Sequence, residues 1–168
     1  MVGSVHSMSS SEGDPGTAAQ GQEGDSAGSA TRMLELSREE CLELLASNHF
    51  GRLAVRLGDD LPVIRPVNYR FDDRSQSVVF RTAGDSKFHA LLRSAKAAFE
   101  IDGVDESSRT GWSVIIRGVT DEVTNAAEVQ RLDRLGLDPW APGPKRHWMC
   151  IRAWTVGGRR IVLGDATG

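Results

Sequence analysis

The strongest constraint on this chain is a succession of short apolar runs of period two, separated by clusters of Gly, Asp and Pro, between residues 53 and 163. Leu53, Val55 and Leu57 alternate with Ala54 and Arg56; "GDD" then turns the chain into a run rich in Val and Ile from Leu61 to Arg70, and "DDRSQ" turns it into Val78 to Thr82. Ala98 to Gly103 and the longer Trp112 to Val123 follow, and Trp148 to Thr155 and Arg160 to Leu163 read as closing strands. Pro66 cannot donate to a strand ladder, so its strand lies at an edge or bulge, or turns its backbone toward something other than a strand. Many strands with short turns and few helices predict an α+β fold built on a small antiparallel barrel.

The helical signals are local. Ser37 followed by Glu40 forms a capping-box pattern, and Cys41, Leu42, Leu44 and Leu45 supply an apolar stripe before Asn48 and Gly51 stop the helix. A short helix is expected from Ser86 to Ser94 and another from Ala126 to Leu135, ended by Gly136, after which "DPWAPGPKR" reads as a rigid loop anchored by Trp140.

Residues 1–31 contain no aromatic residue, lysine or arginine, and are dominated by Gly, Ser and Ala, so they cannot bury enough apolar area to offset their ordering entropy. They are expected to be a disordered tail preceding one domain, residues 32–168. The tail holds four acids (Glu12, Asp14, Glu23, Asp25), which leaves 20 basic against 23 − 4 = 19 acidic side chains in the domain. A near-neutral domain lacks the basic footprint of a nucleic-acid binder. No apolar run approaches the roughly 20 residues of a membrane-spanning helix, and the expectation is a cytoplasmic protein. The two cysteines, Cys41 and Cys150, form no C-x-x-C and stand apart from any histidine cluster, so reduced thiols are expected, with no disulfide and no metal site.

The stretch "FRTAGDSKFHALL", Phe80 to Leu92, concentrates the chemistry: a strand end meets a helix start, and Arg81, Thr82, Ser86 and Lys87 surround the turn at Gly84. An anion with several oxygens needs converging donors, and backbone N–H groups at a helix N-terminus, an arginine fork, an ammonium and two hydroxyls supply them. The same residues also suit a plain helix cap at Ser86 with Arg81 and Lys87 as solvated charges. No P-loop or Rossmann glycine pattern accompanies them. His49 and His147, single histidines without spaced partners, read as structural or surface residues, and Asp102, Asp105 and Glu106 as a solvated acidic loop.

"FGRLAV", "PVIRPVNYRFD", "VVFRTAGDSKFHALL", "AAFEIDG", "GWSVIIRGVTDEV", "LGLDPWAPG" and "VGGRRI" follow one another in the order and spacing of the pyridoxamine 5'-phosphate oxidase-like flavoproteins. The chain resembles the branch that includes nitroimidazole-resistance-type proteins. The resemblance implies an FMN-binding split β-barrel, antiparallel and Greek-key, of about six to seven strands with a few peripheral helices. It also implies a homodimer with two flavin sites between subunits. Carried over residue by residue, it puts Arg65, Pro66, Val67 and Asn68 along the isoalloxazine ring, and Arg81, Thr82, Ser86 and Lys87 on the flavin phosphate. Trp112 and Ser113 fall on the strand that reaches the flavin from the barrel side, and Trp148 and Arg159 on the partner's C-terminal strands. Asp85 departs from the small uncharged residue of many relatives. The implied function is an FMN-dependent oxidoreductase acting on a small molecule. The alternatives are a reductase using a deazaflavin coenzyme, or a non-catalytic binder of flavin (FMN or FAD) or haem.

Overall fold

The computed structural model describes residues 31–56, 61–84, 89, 92–93 and 95–164. The expected tail up to residue 30, the "GDD" turn with Leu57, Asp85, Ser86 and Lys87, and most of the helix expected from Ser86 to Ser94 lie outside the described residues.

Among the described residues, seven strands and two helices follow in the order β1 (Thr31–Leu36), α1 (Arg38–Ser47), β2 (Phe50–Val55), β3 (Val63–Asp72), β4 (Ser77–Thr82), β5 (Lys96–Asp105), β6 (Thr110–Val123), α2 (Ala126–Asp133) and β7 (His147–Leu163). The sheet order is β1-β7-β4-β3-β2-β5-β6, and β6 pairs again with β7, so six strands close an antiparallel barrel and β1 lies outside it as a seventh. This is the α+β barrel that the strand pattern predicts.

β7 differs from expectation. It is one strand of 17 residues rather than two, because Gly157 and Gly158 remain extended and pair with Ile115 and Val114 of β6. Its first part pairs with β4 and its last part with β1, while β6 runs along most of its other side. Glycine is required at 158: a Cβ there would lie 2.7 Å from the Ser113 carbonyl oxygen and 2.9 Å from Leu36 Cδ1. The register slips by one between Arg117 and Gly118, where Trp154 is passed over, a bulge that bends the strand pair. β1 is a second difference, since no strand was expected before α1 and Thr31 was placed in the tail. "TRMLEL" lacks strict alternation, and only six pairs with β7 make it a strand.

α1 forms as its sequence dictates. Ser37 Oγ accepts the Glu40 N–H at 3.2 Å, and the Glu40 carboxylate accepts the Ser37 N–H at 2.8 Å, closing the capping box. The helix plugs one end of the barrel with Cys41 and Leu45, packed among Leu53, Tyr69, Phe99 and Met149. Tyr69 Oη donates to the Leu45 carbonyl at 2.9 Å, so the buried hydroxyl is satisfied and ties helix to barrel.

A second, smaller core lies outside the barrel wall, where Leu132 of α2 and Leu137 pack on Val79 and Trp148. It explains why β4 is buried on both faces: Val78 and Phe80 point into the barrel while Val79 points to α2. Arg70 fixes the far end of α2 by donating from Nε to the Leu135 carbonyl (3.1 Å) and from Nη2 to the Gly136 carbonyl (3.0 Å).

Candidate functional site

β3 and β4 pair antiparallel, and the "DPWAPGPKR" loop returns beside them. Between these elements lies a groove of about 270 Å³ that brings together Arg65, Pro66, Val67 and Asn68 from β3, Arg81 and Thr82 from β4, and Pro139, Ala141 and Lys145 from the loop. Six of the sequence-derived site residues thus share one cavity. Ser86 and Lys87, expected at the same place, lie outside the described residues. The loop is held by a hydrogen bond from the Trp140 N–H to Asn68 Oδ1 (2.9 Å) and by stacking of the Trp140 and Phe50 rings, 5.2 Å apart at 15°. Trp140 anchors the loop as expected, yet leaves 73% of its surface exposed.

Arg81 is the best-placed cation of the groove. Its guanidinium lies 4.9 Å from the centre of the Trp148 ring, and Nη2 donates to Asp133 Oδ1 at 3.2 Å. The same carboxylate oxygen accepts Trp148 Nε1–H at 2.8 Å, so α2, β4 and β7 hold the arginine from behind. Arg81 Nε is buried with no hydrogen-bond partner among the described residues. A buried donor without an acceptor costs free energy of order 1–3 kcal/mol, which an anionic oxygen in the groove would recover. The donor set and the prolyl backbone of β3, which offers no N–H at Pro66, fit a flat ring carrying a phosphate.

Trp148 is not at a cofactor-facing surface. It is 1% exposed, locked between Arg81, Asp133 and the second core, so its expected contribution to a partner's site is replaced by a supporting role inside its own chain. Its neighbour Met149 points the other way, into the barrel core.

Trp112, Ser113 and Arg159 gather elsewhere. They line a cavity of about 610 Å³ with Met33, Asp102 and Ile161 at the β1–β7–β6 end. Ser113 and Arg159 also border a groove of about 440 Å³ with Ile115, Arg117 and Thr155. None of these lining residues belongs to the β3–β4 groove. Ser113 and Arg159 are cross-strand partners, and Arg159 Nε donates to Glu35 Oε1 of β1 at 3.0 Å. Trp112 packs against the barrel core, its indole so close to Gly103 that a Cβ there would lie 2.6 Å from Nε1.

The remaining candidates resolve by their contacts. Asp105 accepts from the N–H groups of Ser107 and Ser108 and from the Ser107 hydroxyl, which hold its carboxyl down to about 2, and Asp102 pairs with Arg52. Asp105 caps the turn after β5, whereas Asp102, expected in a loop, lies within β5 and ties it to Arg52 of β2. Burial pushes both the Cys41 and the Cys150 thiols above their ordinary value, which disfavours their thiolate forms. His147, read from sequence as an isolated histidine, has close company. Its Nδ1 lies 2.7 Å from Glu122 Oε1, while His89 Nε2 lies 3.4 Å from Glu122 Oε2, and the two imidazole rings are 4.7 Å apart. No sequence signal marks this trio, since its members are 33 and 25 residues apart (122 − 89 and 147 − 122): the pairing of β6 with β7 brings Glu122 and His147 together, and His89 reaches them from outside the strands.

A closed six-stranded antiparallel barrel plugged by α1, with a donor-lined groove on its β3–β4 wall, defines a split-barrel ligand-binding protein. The chain belongs to the pyridoxamine 5'-phosphate oxidase family, whose sequence model matches residues 37–160. It is 37% identical over 144 residues to the uncharacterised protein Rv0080 of Mycobacterium tuberculosis, covering 83% of this chain and 92% of that one. Among solved structures, it is similar to the FAD-binding protein from Mycobacterium smegmatis, with 33% identity, 75% and 96% of the two chains covered and a TM-score of 0.64. It is also similar to a conserved protein of unknown function, DIP1874, from Corynebacterium diphtheriae, with 36% identity, 77% and 98% covered and a TM-score of 0.66.

Proposed function

We propose that this protein binds a flavin nucleotide in the β3–β4 groove and is a flavin-dependent oxidoreductase acting on a small molecule. The observation that carries the reading is the buried, unpartnered Nε of Arg81 on the wall of a groove whose other wall is the Arg65–Asn68 segment. Arg81 would hold the phosphate, Thr82 would add a hydroxyl, and the β3 segment would lie along the ring system. The flavin would supply the hydride or electron chemistry, and the protein's part is to position it and set its electrostatics. No side chain is assigned as acid or base.

FMN is the cofactor expected from the sequence. FAD carries the same ribityl phosphate, and the 33% identical FAD-binding protein of M. smegmatis makes it the first alternative. Visible spectroscopy of the purified protein, followed by mass analysis of the released cofactor, distinguishes FMN, FAD, a deazaflavin and haem. Turnover with NAD(P)H or a reduced deazaflavin then separates an enzyme from a binder. A protein that takes up none of these flavins when reconstituted would overturn the reading.

We further propose a two-fold homodimer with shared sites. The groove of about 270 Å³ falls below the usual range of ligand pockets, roughly 300–1,000 Å³, and leaves much of a flavin uncovered. Met33, Ile115 and Ile161 are exposed apolar residues around the separate patch that holds Ser113 and Arg159. Apposing that patch on the partner's groove would cover both, and an isologous contact would do so twice.

A further inference from the structure

We propose that His89, Glu122 and His147 form a binding site for a borderline divalent transition-metal ion, with zinc the reference occupant. The three side chains offer two imidazole nitrogens and a carboxylate oxygen whose atoms lie within 4.8 Å of one another. Two histidines and one carboxylate are the ligand set of open zinc sites, which keep a fourth position for water or a further ligand. They also suit other first-row divalent ions, whereas hard magnesium and calcium favour all-oxygen shells.

Geometry and burial support the assignment. With metal–ligand bonds of about 2.0–2.1 Å, ligand atoms of a tetrahedral site stand about 3.3 Å apart. His89 Nε2 lies 3.4 Å from Glu122 Oε2 and His147 Nδ1 2.7 Å from Glu122 Oε1, so the two imidazoles meet opposite oxygens of one carboxylate, and an ion drawn among the three groups needs a small opening of the His147 contact. The two ligands on the barrel come from adjacent strand ends, Glu122 near the end of β6 and His147 at the start of β7, so their spacing is fixed by the ladder. His89 is nearly buried, Glu122 mostly so, and His147 stands half-exposed at the mouth. A site closed beneath and open on one side holds an ion while leaving it accessible. Gly84 makes this arrangement fit, because a Cβ at 84 would overlap His147 Nε2. The imidazole thereby turns Nδ1 toward Glu122. This site is distinct from the β3–β4 groove in its ligands, and its test requires no flavin.

The full-length, tag-free protein, stripped with a chelator, is titrated with zinc chloride in a calorimeter and with cobalt(II) in a spectrophotometer. One zinc per chain is expected, with an intense visible cobalt spectrum of four or five coordination. Glu122→Gln and His147→Gln should each weaken zinc binding by at least about tenfold, whereas His49→Gln should leave it unchanged. The chain has four histidines, so imidazole proton resonances give a readout on the unsubstituted protein: those of His89 and His147 should move on adding zinc. Binding that persists in folded Glu122→Gln and His147→Gln proteins would overturn the assignment. So would zinc shifts confined to His6 and His49, or no zinc binding at all.

Discussion

Arg131 grips Asp72 with both arms of its guanidinium: Nη1 lies 2.7 Å from Oδ1 and Nη2 2.6 Å from Oδ2, so a residue of α2 is clamped to the last residue of β3. Asp72 is 3% exposed and also accepts from the Ser75 N–H and hydroxyl. Glu128 meets the other side of Arg131, and the three-membered cluster docks α2 on the barrel behind the groove.

Burial pushes the Asp72 carboxyl up, but the hydrogen bonds from Arg131 and Ser75 and the guanidinium charge outweigh it and leave it below its ordinary value. A depressed folded value means stabilisation that is present above the unfolded carboxylate range, near pH 4, and is lost as pH falls through the folded value. Arg131→Met would leave a buried carboxylate uncompensated and should cost about 3 kcal/mol at neutral pH. Urea unfolding from pH 7 down to pH 3 checks it, since the gap between the two proteins should narrow as Asp72 takes up its proton.

At the groove, Arg81→Met keeps the aliphatic stem over Trp148 and removes the fork. Affinity for the flavin nucleotide should fall by about 1.5–3 kcal/mol, the range for hydrogen bonds to charged groups, while riboflavin affinity stays level. Fluorescence titration of the apoprotein with FMN, FAD and riboflavin reads both. Equal losses for riboflavin would show that Arg81 does not meet the phosphate.

The shared-site dimer predicts complementation. Arg81→Glu and Arg159→Glu proteins should each bind little flavin alone. Once subunit exchange is verified by mass, half of the sites in the mixed dimer should recover. Ile161→Glu, which sets a charge among the exposed apolar residues of β7, should yield a folded monomer by sedimentation.

Gly158→Ala should destabilise the fold by about 1–3 kcal/mol, because the added methyl meets a strand carbonyl at 2.7 Å and the Leu36 side chain at 2.9 Å. The midpoint of urea unfolding measures it, and an unchanged midpoint would mean that β6 and β7 part without cost.

Truncation separates β1 from what precedes it. A chain beginning at Thr31 should keep the melting temperature of the full protein, since residues 1–30 have no aromatic, leucine or isoleucine, and only Met1, Val2, Val5 and Met8 as apolar side chains larger than alanine or proline. A chain beginning at Ser37 loses six strand pairs and should melt lower. Equal melting of all three would remove β1 from the stabilising elements.

Period-two alternation marks the barrel strands because one face is buried, and the capping box marks α1 because its partners are three residues apart; both are local facts. Arg65–Asn68 were named only through the family resemblance and Arg81–Thr82 also through their donor chemistry; the pairing of β3 with β4 is what brings the two segments to one groove. What tertiary structure alone decided depends on contacts between distant segments. β1 exists because the C-terminal half of β7 offers an open edge, and Gly157–Gly158 extend rather than turn because β6 supplies their partners. Trp148 is buried rather than presented to a ligand because α2 covers the outer face of β7, a face that alternation cannot distinguish from solvent. Glu122 and His147 become neighbours only when β6 and β7 align, and His89 joins them across the barrel end. Local sequence specifies which residues face alternate sides of a strand; which side is covered, and by what, is set by the packing of the whole chain.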